Sequence, residues 1–254
     1  AAFDLSAPDQ ISLEIHPESA TPARLRAFAR NGVNWTCVGV QSLDRGVLRS
    51  ARRAQRLLSV RTAVLGLRAA GIPGVNLDLI CGLPGQTPEM FFADVDAAAA
   101  LRPDEIHLNV FMDTPYTVYA LRGGARIDGK AVERLREAVF ARLRPLGYRR
   151  IDSDAVGLTA RSRNFQTMRL AEKKSILGLG PGAVSRAWGA ARYINTVSWE
   201  AYRRDLEGGT PPVRLGIETS ARDEMVYYAV DRLTYGRGFL SFGGFRKLFG
   251  REFT

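Results

Sequence analysis

The stretch Gly74-Val75-Asn76-Leu77-Asp78-Leu79-Ile80-Cys81-Gly82-Leu83-Pro84-Gly85-Gln86-Thr87 constrains the fold more than any other part of this chain. Leu77, Leu79 and Ile80 form a near-continuous apolar run, the pattern of a parallel strand covered on both faces. Gly82-Leu83-Pro84-Gly85 then bars helix and strand alike. Thr87-Pro88-Glu89 offers an N-cap, a proline at the first helical position and an acidic first turn. Strand, turn and helix make one βα unit. Asp78 interrupts the apolar run, and a buried carboxylate is costly unless it meets a partner or a ligand. Its place near the carboxyl end of a parallel strand is where α/β folds put their ligand sites.

The same rhythm recurs along the chain. Ile11 to His16 alternates at period two and ends at Pro17, so it reads as a strand. Thr21-Pro22 opens a helix closed by Asn31-Gly32. Trp35 to Val40 is a second strand ending at Gln41-Ser42, and the helix after it shows Leu57, Val60, Val64 and Leu67 on one face, with Arg53 at its head. The third strand is Val75 to Cys81, followed by a helix from Pro88 to about Leu101. A fourth strand spans Glu105 to Phe111, and a helix runs from Gly129 to Leu146. Strands alternating with helices predict a parallel sheet, here a partial (β/α) barrel in the manner of a TIM barrel. Four strands are fewer than a closed barrel needs, and the chain opens almost directly on a strand. Upstream βα units are therefore expected to be absent from it.

After Tyr148 the rhythm breaks. Ile176 to Ser185 is apolar and rich in glycine, which suits close approach of the backbone to a ligand. Pro181 and the missing βαβ context argue against a dinucleotide fingerprint there. A helix from about Ser220 and a basic, aromatic one from Phe245 to Phe249 read as the start of a small accessory region. The expected organisation is 1–150 for the partial barrel, 151–219 for cofactor-proximal loops and closure, and 220–254 for the accessory region.

Composition excludes several classes. No apolar run approaches the roughly 18 residues of a membrane span, and the first residues lack the basic and apolar regions of a secretory signal. Two cysteines, Cys37 and Cys81, make no disulfide framework, so a reducing cytoplasm is expected. The net charge of +10 comes mostly from arginine. These arginines are scattered along helices rather than gathered in a basic-aromatic motif, which argues against nucleic-acid binding. His16 and His107 are the only histidines, no CxxC or HExxH spacing occurs, and no GxSxG elbow is present, so neither a metal centre nor a serine hydrolase is expected within the chain.

The polar residues at the strand ends are few: Glu14, Gln41 and Asp78 from the first three strands, Asn109 or the segment after it from the fourth, and Arg53. A guanidinium clamps a carboxylate, while Asp or Glu takes an ammonium or ribose hydroxyls. A nucleoside-linked amino acid fits such a set.

These residues resemble a known family. Leu13-Glu14-Ile15-His16-Pro17, Val38-Gly39-Val40-Gln41-Ser42, Arg53-Ala54-Gln55, the Leu77 to Thr87 stretch, Arg163-Asn164-Phe165-Gln166 and Leu177 to Ser185 look like oxygen-independent coproporphyrinogen III oxidase. They are also similar to its radical S-adenosylmethionine relatives, the class C radical methyltransferases and the haem chaperones. The resemblance runs from about Ile11 to Gly238. It implies a partial (β/α) barrel holding a four-iron four-sulfur cluster and one or two S-adenosylmethionine molecules. The positions that match the family's binding residues are Glu14, Gln41, Arg53, Asp78, Met112, Gln166 and Val184. The implied activity is oxidative decarboxylation of a porphyrinogen propionate or radical methylation of an sp² carbon, with a non-catalytic tetrapyrrole-binding homologue as the alternative. The implied partners are a small-molecule substrate and an electron donor such as flavodoxin or ferredoxin.

Four departures matter. The family's CxxxCxxC, which supplies three thiolates to the cluster, has no counterpart, and neither has the GGTP strand end that follows it. The chain is therefore expected to be part of a longer enzyme whose cluster ligands lie upstream. Thr167-Met168-Arg169-Leu170 stands where the oxidases continue with a Gly-Tyr-Thr-Thr-like run, and His16 replaces the usual acidic or amide residue. Both raise the standing of the methyltransferase branch. Arg161, Arg163 and Arg169 read equally as partners of substrate carboxylates or as solvated loop charges.

Overall fold

The computed structural model describes residues 8–112, 118–121, 128–160, 162, 173–234 and 240–253. It divides into two compact units, residues 1–163 and 164–254.

The first unit begins with β1 (Ser12–Ile15), α1 (Pro22–Arg30) and β2 (Trp35–Gln41). A short helix, α2 (Arg45–Ser50), precedes α3 (Leu57–Ala69); then come β3 (Gly74–Cys81), α4 (Pro88–Ala100) and β4 (Glu105–Val110). A four-residue α5 (Val118–Leu121) and α6 (Gly129–Leu143) lead to β5 (Arg149–Arg150) and β6 (Ala155–Gly157). The sheet order is β1-β2-β3-β4-β6-β5. β1 to β4 are parallel, and β6 joins β4 antiparallel. This is the α/β partial-barrel arrangement that the βα rhythm predicts. Helix starts follow the expected caps: Thr21 accepts from the Arg24 N–H and Thr87 from the Met90 N–H. Asp44 caps α2, accepting from the N–H groups of Gly46 and Val47, a start that the apolar periodicity alone does not signal.

The sheet is apolar on one face only. Val38 and Val40, Leu77 and Leu79, and Ile106 and Leu108 pack with Val60, Val64, Leu67, Phe91, Val95 and Val139 of the helices into one core. Removing such surface from water is the main stabilising term. The residues between them in sequence point the other way, and there Cys37, Asn76, Asp78, Glu105 and His107 share a face by the period-two rule. The third strand is thus not apolar on both sides; parity separates Asn76 and Asp78 from the run that contains them.

The second unit holds an antiparallel sheet, β7 (Val184–Ala187), β8 (Ala191–Asn195) and β9 (Val213–Glu218), with α7 (Trp199–Glu207) between β8 and β9. α8 (Ala221–Thr234) and α9 (Phe242–Phe249) follow. Glu224, fully buried, takes Arg186 at 2.5 Å and Arg192 at 3.1 Å, tying α8 to β7 and β8. Tyr228 meets the rings of Phe245 and Phe249, joining the two helices. The glycine-rich stretch before β7 has a partner inside the chain. A side chain at Gly178 would come within 2.6 Å of the Val184 carbonyl oxygen, and the Asn195 amide donates to the Gly178 and Gly180 carbonyls at 3.1 and 2.9 Å. That close approach is to the chain's own backbone.

Candidate functional site

Glu14, Gln41, Arg53 and Asp78 line one cavity of about 280 Å³, together with His16, Cys37 and Gly39. A neighbouring cavity of about 600 Å³ shares His16, Gln41 and Arg53 and reaches Ile80 and Leu83. Together they fall in the size range of small-molecule sites. Register explains the convergence. Glu14 pairs with Cys37, and Gly39 with Asp78, so residues from three strands meet on one face at two adjacent levels of the sheet.

Two irregularities complete the wall. The β2–β3 ladder slips between Gly39 and Gln41, and Gln41 adopts a left-handed φ of 64°. A side chain other than glycine pays on the order of 1 kcal/mol for that conformation. Arg53 does not head a helix, as the sequence suggests. It lies in the 51–56 connection between α2 and α3, held there because its N–H bonds the Leu48 carbonyl at 2.8 Å. Its Nη2 donates to the Gly39 carbonyl, and its Nε to Gln55 Oε1 at 3.1 Å. With both anchored, the guanidinium presents Nη1 rather than its full fork to a bound carboxylate.

Asp78 is partnered as well as exposed to the cavity. Asn76 Nδ2 donates to its Oδ1 at 2.6 Å, and His107 Nδ1 lies 3.6 Å from the same oxygen. Burial raises its carboxyl above the ordinary value, and the positive His107 and the Asn76 hydrogen bond oppose that rise. Burial likewise pushes the Cys37 thiol up to about 11, with Asp78 and Glu14 adding to it and Asn76 opposing. His16 Nδ1 accepts from the Glu18 N–H at 3.2 Å, which leaves its proton on Nε2. Desolvation and the nearby Arg53 charge lower its pKa and keep it neutral. Sequence reading missed His16, Cys37 and Gly39 as wall residues. Their parity with Glu14 and Gln41 on the same strands was the available signal.

The turn residues of the opening stretch serve the wall from behind. Asp94 accepts from Ser42 Oγ at 2.6 Å, from the Leu43 N–H at 2.8 Å and from Gln86 Nε2 at 3.5 Å. Gln86 Oε1 in turn accepts from the Gly82 N–H at 2.8 Å. Gln55 Nε2 donates to the Val40 and Ser42 carbonyls. Ser42, Gln55 and Gln86 thus fix the two turns that carry Gln41 and Arg53 on one side and Leu83 on the other.

Of the remaining candidates, Met112 is not among the residues that line this cavity, Val184 belongs to the second unit, and Gln166 is outside what is described. Met112 follows β4 and is 71% exposed. Val184 opens β7 in the second unit and is 63% exposed. Gln166, with Phe165, Arg161, Arg163 and Arg169, lies outside the described residues. Among the described residues no group of three or more His, Cys, Asp or Glu side chains is placed to hold a metal ion. No described helix is long and apolar enough to cross a membrane.

Comparison with known proteins gives three findings. No family model matches the chain. The chain is 28% identical over 236 residues to the oxygen-independent coproporphyrinogen III oxidase of Pseudomonas aeruginosa, covering 87% of this chain and 51% of that protein. It is 32% identical over 197 residues to the same-named protein of Bradyrhizobium diazoefficiens, covering 72% and 44%. Among solved structures it matches the Escherichia coli coproporphyrinogen III oxidase, a radical S-adenosylmethionine enzyme, with a TM-score of 0.80 at 21% identity, over 95% of this chain and 58% of that one. The chain spans about half the length of the curated relatives it matches.

Proposed function

This chain is a homologue of the oxygen-independent coproporphyrinogen III oxidases and has the radical S-adenosylmethionine fold, and on that premise we propose that it is the S-adenosylmethionine-binding portion of a radical enzyme of that kind. The observation that carries the reading is the meeting of Glu14, Gln41, Arg53 and Asp78 around one cavity. The donor set fits the ligand. Asp78 and Glu14 take hydroxyl or ammonium donors, the free edge of Arg53 takes a carboxylate, and Gly39 leaves room between them.

The iron-sulfur cluster does not fit this chain's own residues. It needs thiolates, and Cys37 and Cys81 lie on opposite faces of the sheet, each with its thiol pushed up to about 11 by burial. Any cluster ligands come from outside this sequence. S-adenosylmethionine, when bound in such an enzyme, would supply a radical able to abstract hydrogen. This chain's part is to bind and orient the cofactor.

The relatives' names favour a tetrapyrrole bearing propionates as substrate and oxidative decarboxylation as the reaction. Radical methylation is the second outcome to test, because Thr167-Met168-Arg169-Leu170 departs from the oxidases. The haem-chaperone alternative has no observation in its favour. Both cysteines are free, which agrees with a reducing, cytoplasmic setting.

Calorimetric titration with S-adenosylmethionine tests the binding role, and saturable binding is expected. Anaerobic turnover, with the cluster held by ligands from outside this sequence, tests the reaction. Deoxyadenosine with decarboxylated product and no S-adenosylhomocysteine supports the oxidase. Absence of any S-adenosylmethionine binding would sink the whole reading.

A further inference from the structure

The sheet face that bears Asp78 carries two more ionisable side chains that S-adenosylmethionine binding leaves without a role. Register pairs Asp78 with His107 and Asn76 with Glu105, so β4 sets Glu105 and His107 beside β3. His107 sits between two carboxylates. Its Nε2 is 3.0 Å from Glu105 Oε2, and its Nδ1 is 3.6 Å from Asp78 Oδ1. With Nε2 hydrogen-bonded to Glu105, only the imidazolium also sets a positive charge within ion-pair distance of Asp78.

Glu105 adds a second reason for the extra proton. It is 2% exposed, and its Oε1 is buried with no hydrogen-bond partner among the described residues. A buried carboxylate in that state is costly unless a positive charge stands next to it. The groups acting on His107 are Asp78 from β3, Glu105 from its own strand and Asp154 from the segment before β6. The Cys37 thiol of β2, on the same face, is uncharged. Burial alone lowers the affinity of the imidazole for its proton, but the Glu105 hydrogen bond and the three carboxylates outweigh it, and the His107 pKa is raised.

We propose that His107 is a positioning residue: a protonated imidazole, braced by Glu105, that keeps Asp78 ionised and fixed as an acceptor at the cavity wall. What Asp78 accepts from rests on the S-adenosylmethionine reading above, whereas the bridge itself does not. The arrangement also explains how a mostly buried Asp78 remains an anion. Without the imidazolium, desolvation would favour its neutral form, which is a poorer acceptor and an unwanted donor.

Two measurements separate the bridge from the ligand. With only two histidines in the sequence, carbon-detected titration of labelled imidazoles assigns His107 as the signal lost in His107→Gln. Its midpoint is expected above the ordinary value of about 6.5, falling in both Asp78→Asn and Glu105→Gln. A midpoint at or below the ordinary value, or one unmoved in both variants, overturns the bridge whether or not any ligand binds. Calorimetry then tests the positioning role. His107→Gln should weaken S-adenosylmethionine binding roughly tenfold near pH 6, a loss of about 1.4 kcal/mol, and the loss should close as pH rises and Asp78 ionises unaided. A pH-independent loss, or none at all in a wild type that binds, overturns the positioning role. A wild type that does not bind the cofactor overturns the functional reading alone and leaves the imidazole titration to judge the bridge.

Discussion

Ser42 Oγ donates a 2.6 Å hydrogen bond to Asp94 Oδ2, joining the turn that leaves β2 to the helix that follows β3. Both residues are buried, at 0% and 2% exposure. The bond lies directly behind the cavity wall, because Ser42 follows Gln41 and Asp94 also takes the amide of Gln86 from the Gly-Leu-Pro-Gly turn. Burial raises the Asp94 carboxyl, and its hydrogen bonds from Ser42 and Leu43 oppose that rise.

Replacing Asp94 by alanine strands the Ser42 hydroxyl and the Leu43 N–H in a dry interior. A loss of about 2 kcal/mol or more is expected from unpaired buried donors, read as a lower denaturant midpoint with an unchanged slope. Asp94→Asn keeps one acceptor and should lose clearly less. Equal losses in the two variants would show that packing, not the hydrogen bonds, sets the stability of this turn.

Asp78→Ala is expected to weaken S-adenosylmethionine binding more than tenfold, about 1.4 kcal/mol or above, while the protein stays folded. The measurement is isothermal calorimetry beside a thermal melt. Unchanged affinity in a folded variant would remove Asp78 from the proposed site.

Gly39→Ala tests the cavity itself. An added Cβ would stand 3.0 Å from Gln41 Nε2 and 3.3 Å from Arg53 Nη2. Both are ends of flexible side chains, so stability should change by less than about 1 kcal/mol. The same methyl group crowds the seat of Arg53 against the Gly39 carbonyl, and S-adenosylmethionine affinity should fall severalfold. A variant that binds as the wild type does would place the ligand elsewhere.

Stability of the first unit should decline as pH rises from about 5 to 8. Burial, with Asp152 alongside, pushes the Asp154 carboxyl up to about 7 from 3.8, and the carboxylates around His107 raise its pKa too. Both groups bind their protons more tightly when folded. Their contributions are present at low pH and are lost as pH passes through the folded values. Asp154→Asn keeps the polar contact without the charge, so its melting temperature should vary less over this range and exceed the wild type at pH 8. A wild-type melting temperature that rises steadily from pH 5 to pH 8 would contradict the sign.

Much of this was legible along the chain. Apolar periodicity and the Thr21 and Thr87 caps placed α1, α4, α6 and the body of α3 but not α2 or α7, and period-two runs bounded by glycine and proline placed the first four strands. Glu14, Gln41 and Asp78 stood out because each is polar at a strand end or inside an apolar run. The short strands of the second unit were not legible, since β7 and β8 form a hairpin of mixed composition and β9, exposed along its length, pairs with β8 across the intervening α7.

What the amino-acid order determined by itself is therefore the βα sequence of elements and the polar residue types available at the strand ends. Only the tertiary structure decided which of them meet. Strand parity assigns a side chain to a face, but the register between strands, set by packing of the helix-covered core, is what puts His107 opposite Asp78 and Gly39 opposite the same residue. The left-handed turn at Gln41 and the anchoring of Arg53 on the Gly39 carbonyl depend on contacts between segments apart in sequence, which no local pattern encodes.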